Sequence, residues 1–318
     1  ILTRMFWQRL SAYWELTKPR ITTLVLITTA FGFFMGGMGI HSYSLFFFTL
    51  LGTALVVGGS AVLNHYLERD VDRLMKRTRG RPLPAGLIRA EHAMSYGFVL
   101  VLTGVMVLLL SAGLLTSFLA LLSAFLYVVV YTPLKRMTWL NTSLGAIPGA
   151  LPPVGGWAAA TGELDWGAGA LFLILFAWQH PHFYSIAWIF RDDYRRGGFK
   201  MLPVVEPDGD STCWQVMGYS VLLLIFSVLP TFMGLTGSVY LVGVTVVGLL
   251  FLAAGVALTL ALPGALPAQA KTPPNMLVMA KSISDLITLD PAEVFELTGG
   301  EVIGNVYDRV MMFEAEDL

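Results

Sequence analysis

Eight long, almost uninterrupted apolar runs, joined by short loops, limit what this chain can fold into more than any other feature. They cover 21–40, 44–67, 93–112, 115–134, 141–160, 167–190, 214–236 and 238–262. A hydrocarbon layer of about 30 Å takes roughly 20 apolar residues per helix. Backbone inside that layer must satisfy its own N–H and C=O groups. A transmembrane barrel would need alternating segments of about ten residues, and these runs do not alternate. The expected fold is all-α: a polytopic membrane bundle of eight transmembrane helices. Composition agrees, with 56% hydrophobic and only 13% charged residues, where about 25% charged is usual in soluble domains. A soluble globule, a disordered chain and a collagen-like chain are excluded. The single cysteine, Cys213, excludes an intramolecular disulfide and a multi-cysteine metal site.

Charge divides the chain. Residues 1–262 carry 17 Lys/Arg against 12 Asp/Glu, while 263–318 carry 3 against 9. The first region is the membrane body, opened by a basic amphipathic segment over 1–20. The second is an acidic, soluble-looking tail of unassigned role. In the body, every basic residue falls in the N-terminal segment or in the loops after the second, fourth and sixth runs. The positive-inside rule makes that side cytoplasmic, or the matrix side of a mitochondrion. No cleavable signal peptide is legible in a chain that begins at Ile1. A bacterial cytoplasmic (inner) membrane is expected ahead of a mitochondrial one. Gly32-x3-Gly36 and Gly145-x3-Gly149 read as close helix contacts. The fifth run holds Pro148, Pro152 and Pro153. It reads as kinked or broken and lining a cavity.

The second run ends Asn64-His65-Tyr66-Leu67-Glu68-Arg69-Asp70-Val71-Asp72. Asn64, Glu68 and Asp72 are spaced i, i+4, i+8, drifting about 80° around a helix over about 12 Å. One face then presents an amide and two carboxylates at the membrane boundary, and Asp70 points elsewhere. Carboxylates four apart repel each other, so something must compensate. Mg²⁺ takes one or two carboxylates plus substrate phosphates; a solvated helix end is the alternative. Lys76, Arg77 and Arg81 follow, suited to phosphate oxygens, although topology alone would place charges there. Tyr131 and Lys135 lie one turn apart after the fourth run, either as anion ligands or as interfacial anchors.

The sixth run ends Trp178-Gln179-His180-Pro181-His182-Phe183, followed by Asp192-Asp193. His182 and Asp193 share a face if the helix is regular between them. Ionisable groups inside a membrane are functional candidates, and a hydrogen-bonded packing histidine is the other reading. Asn64, Glu68 and Asp72 are expected to converge with Asp193 on one cavity, with exposed carboxylates. No Walker loop, CxxC, HExxH or nucleophile elbow is present. Nucleic-acid binding has no support, because the basic residues hug the membrane.

Asn-x3-(Asp/Glu)-x3-Asp, Tyr-x3-Lys and the second acidic motif, in this order, resemble the intramembrane aromatic prenyltransferases of the UbiA superfamily. Met75-x-Arg77-Thr78-x2-Arg81-Pro82-Leu83, Tyr131-Thr132-Pro133-Leu134-Lys135-Arg136, Gly149-Ala150-x-Pro152-Pro153-x2-Gly156-Trp157, Trp178-Gln179-x-Pro181-His182-Phe183 and Met201-Leu202-Pro203-Val204-Val205 narrow it. They resemble the protoheme IX farnesyltransferase (heme O synthase) branch over roughly 10–262. The resemblance implies that farnesyl diphosphate, with Mg²⁺ as cofactor, alkylates a vinyl group of heme b. It implies Asn64, Glu68, Asp72 and Asp193, with Asp192 beside them, as the Mg²⁺–diphosphate set. It implies Arg20, Lys76, Arg77, Arg81, Tyr131 and Lys135 as diphosphate contacts. His182, and then His180, are the heme candidates. Heme A synthase or terminal-oxidase assembly proteins would be partners. Glu68 departs from the common Asp, and eight runs depart from the family's nine. Competing readings are prenylation of an aromatic quinone precursor and a non-enzymatic membrane carrier or assembly factor.

Overall fold

The computed structural model describes residues 2–264, with side chains over 7–257. The acidic tail beyond Gly264 lies outside the described residues. Every assigned element among the described residues is helical.

α1 (Leu2–Leu16) precedes the membrane body. Its Ala12 and Leu16 pack against Val62, Leu83, Ile88 and Ala93. Trp7, Leu10 and Trp14 stay exposed on its other side, where amphipathic aromatic rings suit a headgroup layer. The chain then turns through Lys18, a non-glycine residue in left-handed conformation (φ 49°, ψ 60°), into α2 (Pro19–Gly36). Pro19 at the start of α2 costs no hydrogen bond, since that N–H has no helical partner.

α3 (Tyr43–Asp72) and α4 (Ala90–Phe125) form the most extensive helix pair. Small residues seven apart make this possible. A Cβ on Gly59 would lie 2.7 Å from the Gly97 carbonyl oxygen, and one on Gly104 2.6 Å from that of Gly52. The same logic joins α2 to α6 (Asn141–Thr161): Gly32 abuts Pro153, Gly36 abuts Trp157, and Gly156 abuts the Thr29 carbonyl. The packing role expected of Gly32-x3-Gly36 is borne out.

Five helical runs are long and apolar enough to cross a membrane: Pro19–Gly36, Tyr43–Asp72, Ala90–Leu134, Asp210–Phe232 and Ser238–Ala257. The third, of 45 residues, holds two of the expected spans. They meet at Gly113, whose φ of 87° and ψ of 179° leave the helical region, a conformation glycine adopts at no steric cost. α6 and α7 (Trp166–Ile189) occupy two more expected spans but fall outside the five.

α6 differs from expectation. It runs as a continuous helix through Pro148, Pro152 and Pro153. Pro152 has no N–H for the Pro148 carbonyl, and the Ser123 hydroxyl donates to that oxygen instead, at 3.0 Å. Satisfying freed carbonyls from neighbours is what lets prolines persist in membrane helices. α6 does line a cavity, with Leu151, Pro152 and Gly155 facing Val56 of α3 and Leu119 and Ser123 of α4.

The end of α4 widens into a π-helical turn (Leu126–Tyr131) before α5 (Thr132–Leu134). Asp165 caps α7, its carboxylate accepting from the Gly167 and Ala168 N–H groups. α7 stops at Ile189. α8 (Arg191–Arg196) and α9 (Leu202–Val205) then lead into α10 (Asp210–Phe232) and α11 (Ser238–Gly264).

Candidate functional site

Apolar contacts assemble the basic end of the bundle. Val71 and Met75 pack with Ala187, Phe199 and Met201, fastening the segment after α7 against the end of α3. Leu83 and Ile88 of the loop after α3 are held from the other side by α1. These anchors bring together charged residues that are far apart in the chain.

Asn64, Glu68 and Asp72 do share one face of α3, but they are buried, not exposed: Asp72 has 0% of its surface accessible and Glu68 7%. The compensation their repulsion demands comes from cations. Lys135 Nζ lies 2.8 Å from Glu68 Oε1. Arg81 donates to both Asp72 oxygens, at 3.0 and 2.8 Å. Asp193 is buried as well, and its carboxylate accepts from the backbone N–H of Lys76 (3.2 Å) and Arg77 (3.3 Å) and from Arg196. The second acidic motif therefore docks on the loop that directly follows Asp72. Tyr131 and Lys135 meet as a cation–π pair, with Nζ 4.6 Å from the ring centre. Gly145 leaves room for that ring.

Lys18 belongs to this cluster and escaped the sequence reading. Its ammonium donates to Asn64 Oδ1 at 2.8 Å and lies 3.5 Å from the Tyr127 hydroxyl. Asn64 Nδ2 donates to Thr132 Oγ1 (3.1 Å), which donates to the Tyr127 carbonyl across the π turn (2.8 Å). π turns of this kind recur at functional sites. The sequence carried only a Lys-Pro dipeptide at the head of an apolar run, and that reads equally well as a topology charge.

Electrostatics separate these groups. Burial, reinforced by Arg81 and by Lys135 and only partly offset by Glu68 and Asp72, pulls the Lys18 ammonium down to about 7. The site is thus short of negative charge at that point. Burial also works against the Lys135 ammonium, but the adjoining Glu68 carboxylate outweighs it and holds Lys135 above the ordinary lysine range. Burial pushes the Asp193 carboxyl up; the Arg196 guanidinium and the two backbone N–H groups more than reverse this.

Other expected residues stand apart. Arg20, Lys76 and Arg77 have exposed side chains, with Arg77 over the Phe190 ring. Asp192 points to the surface and pairs with Arg195 at 2.9 Å. His182 does not share a continuous helix face with Asp193, because the backbone leaves helical geometry at Phe190 (φ −104°, ψ 22°). His182 is exposed and stacks on Trp178, with ring centres 4.8 Å apart. His180 is a satisfied packing histidine. It is fully buried, with Nδ1 2.8 Å from the Phe176 carbonyl, Nε2 3.0 Å from Ser143 Oγ and its face against Tyr219. Neither ring nitrogen is left for a heme iron.

The oxygen donors on α3 suit a hard cation such as Mg²⁺. Among the described residues no three His, Cys, Asp or Glu side chains group closely enough to hold a metal by themselves. Mg²⁺ bound here would therefore draw on phosphate oxygens as well as Asn64, Glu68 and Asp72, its usual habit.

The UbiA prenyltransferase family model matches residues 25–277. This chain belongs to the UbiA prenyltransferase family. Its curated relatives include the protoheme IX farnesyltransferase of Solibacter usitatus (strain Ellin6076), 45% identical over 257 residues, covering 78% of this chain and 88% of the relative. That of Salinibacter ruber (strain DSM 13855 / M31) is 48% identical over 241 residues, covering 76% and 85%. Among solved structures, a UbiA homolog from Archaeoglobus fulgidus bound to DMAPP and Mg²⁺ superposes with a TM-score of 0.61 at 19% identity, covering 80% of this chain and 88% of the other. A digeranylgeranylglyceryl phosphate synthase does so with 0.67 at 18%, covering 79% and 88%. At that identity the likeness establishes the UbiA fold, and with it an integral membrane protein. The matched stretch contains Asn64, Glu68, Asp72, Arg81, Lys135 and Asp193 but begins after Lys18.

Proposed function

We propose that this UbiA prenyltransferase is a protoheme IX farnesyltransferase: it transfers the farnesyl group of farnesyl diphosphate to a vinyl group of heme b, giving heme O and diphosphate. The observation that carries this is the buried cluster of Asn64, Glu68 and Asp72 interlocked with Lys18, Arg81 and Lys135 at one end of a helical membrane bundle. The names of relatives at 45% and 48% identity support the choice of substrates. All eight expected spans cross the bilayer in this reading, with the basic side in the cytoplasm of a bacterium.

The C1–O bond of farnesyl diphosphate breaks, and diphosphate leaves with the electron pair. The vinyl terminal carbon bonds to C1. The resulting benzylic-type cation on the porphyrin takes hydroxide from water, releasing one proton. Mg²⁺, which Asn64, Glu68 and Asp72 would hold together with the diphosphate, would supply charge neutralisation to the leaving group. Arg81 and Lys135 supply fixed positive charge in a largely buried site, where such charge stabilises a developing anion more than it would in water. Tyr131, with its ring held by Lys135 and Tyr127, lines the same end. The bundle shields the allylic cation from premature capture by water. His182 remains the heme contact candidate, its ring exposed on a membrane helix. Heme O would pass to terminal oxidases or to heme A synthase.

Expression in a bacterial strain lacking heme O, followed by pigment extraction and mass analysis, tests this reading. Heme O should accumulate, and Asp72→Asn should abolish it in membranes that still contain the protein. A prenylated aromatic acid without heme O would move the chain to quinone-precursor chemistry. No prenylated product at all would favour a carrier.

A further inference from the structure

The inner cluster is unequal in charge. Arg81 answers Asp72 and Lys135 answers Glu68, each at 2.8 Å. Lys18 has only neutral hydrogen-bond partners among the described residues, the Asn64 amide and the Tyr127 hydroxyl. When Lys18 is protonated, three cations face two carboxylates, and the surplus charge sits on Lys18.

The backbone at Lys18 points the same way. Lys18 is one of two non-glycine residues with positive φ among the described residues. It also precedes Pro19, and a residue before proline is normally driven to extended conformations. Strain of this sort persists where surrounding structure over-determines it, and it concentrates at ligand clamps and active sites. Here the left-handed turn joins α1, fixed by Ala12 and Leu16, to α2, fixed by Gly32 and Gly36. The side chain is thereby carried from the N-terminal segment to Asn64 on α3.

Building on the prenyl-diphosphate reading above, we infer that Lys18 is a further diphosphate-binding residue of this enzyme, aimed by its left-handed backbone and oriented by Asn64. It occupies the role expected of Arg20, whose side chain is exposed two residues later. In this structure the Asn64 amide nitrogen donates to Thr132 and its oxygen accepts from the ammonium.

The test is titration of the full chain, in lipid nanodiscs, with inorganic pyrophosphate in excess MgCl₂, followed by calorimetry. Wild type, Lys18→Met and Lys18→Gly are compared, with thermal unfolding measured in parallel. Lys18→Met removes the charge and keeps the stem. Lys18→Gly removes the charge and relieves the left-handed strain, so its melting temperature should stay near wild type or rise. Both variants should bind pyrophosphate roughly 10- to 100-fold more weakly, the usual span for a lost charge-assisted contact. Unchanged affinity in Lys18→Gly overturns the inference. Affinity that falls only in step with melting temperature overturns it too, since Lys18 would then serve the fold. Wild type that fails to bind pyrophosphate overturns the prenyl-diphosphate reading instead.

Discussion

Asp72 has no accessible surface, and its charge is tolerable there because Arg81 grips both oxygens while Thr78 holds its carbonyl. Removing one partner of a buried pair costs about 3–5 kcal/mol, because the other is left charged and unpaired. The two partners are not equivalent. The Arg81 side chain retains 23% exposure and can regain water; Asp72 cannot. Arg81→Ala should therefore lower stability by an amount near the bottom of that range, and Asp72→Asn by clearly less. Thermal unfolding of the two variants in the same detergent checks the order, and the reverse order would mean that water reaches Asp72. An exposed carboxylate, as the motif alone suggests, would have made both changes nearly silent. The same asymmetry separates Asp193, locked to the loop amides, from Asp192 beside it, whose surface pair with Arg195 contributes about 0–1 kcal/mol.

Helices in this bundle approach one another wherever a side chain is missing. A Cβ on Gly156 would sit 2.0 Å from the Thr29 carbonyl oxygen, and one on Gly32 2.0 Å from that of Pro153. Both clashes are with backbone, which cannot swing aside. Gly156→Val should push α6 from α2 and cost about 1–3 kcal/mol or more, read as a lower melting temperature. Gly155→Ala, one residue earlier and with nothing within 4 Å of the added atom, should be near neutral. Equal behaviour of the two would show that α2 and α6 pack less closely than described. Lys18 leads directly into α2, so Gly156→Val should also weaken pyrophosphate binding.

Among the described residues, the basic ones collect at the end of the bundle that holds the site, and Glu163 and Asp165 lie in a loop at the other end. If the basic end is cytoplasmic, the single native cysteine gives a clean way to see it. In a Cys213→Ser background, Arg195→Cys should react with a membrane-impermeant maleimide only in inverted membrane vesicles, and Glu163→Cys only in intact cells. Both side chains are exposed. The opposite labelling would place the site on the outer side and remove ready access to cytoplasmic farnesyl diphosphate. Farnesyl and porphyrin, both largely apolar, can enter such a site from lipid, while the diphosphate meets concentrated positive charge.

Long apolar runs, one-sided cations and the i, i+4, i+8 face of Asn64, Glu68 and Asp72 were legible from the chain alone, because hydropathy and helical period are local properties. So were the Gly32–Gly36 contact and the break near Gly113. What answered the carboxylates was not local. Arg81 and Lys135 reach them, and Lys18 reaches Asn64 beside them, through folds of the chain that the apolar residues Met75, Leu83 and Leu16 set, and no spacing rule encodes those. The regular-helix assumption failed at Phe190, where geometry separates His182 from Asp193, and the opposite assumption, a broken helix, failed at α6, where Ser123 from another helix restores what proline removes. His180 looked like a ligand in the string and is a packing residue in the fold, since its hydrogen bonds run to Phe176 and Ser143. Buried charge is settled by its neighbours in space, and only tertiary structure decides who those neighbours are.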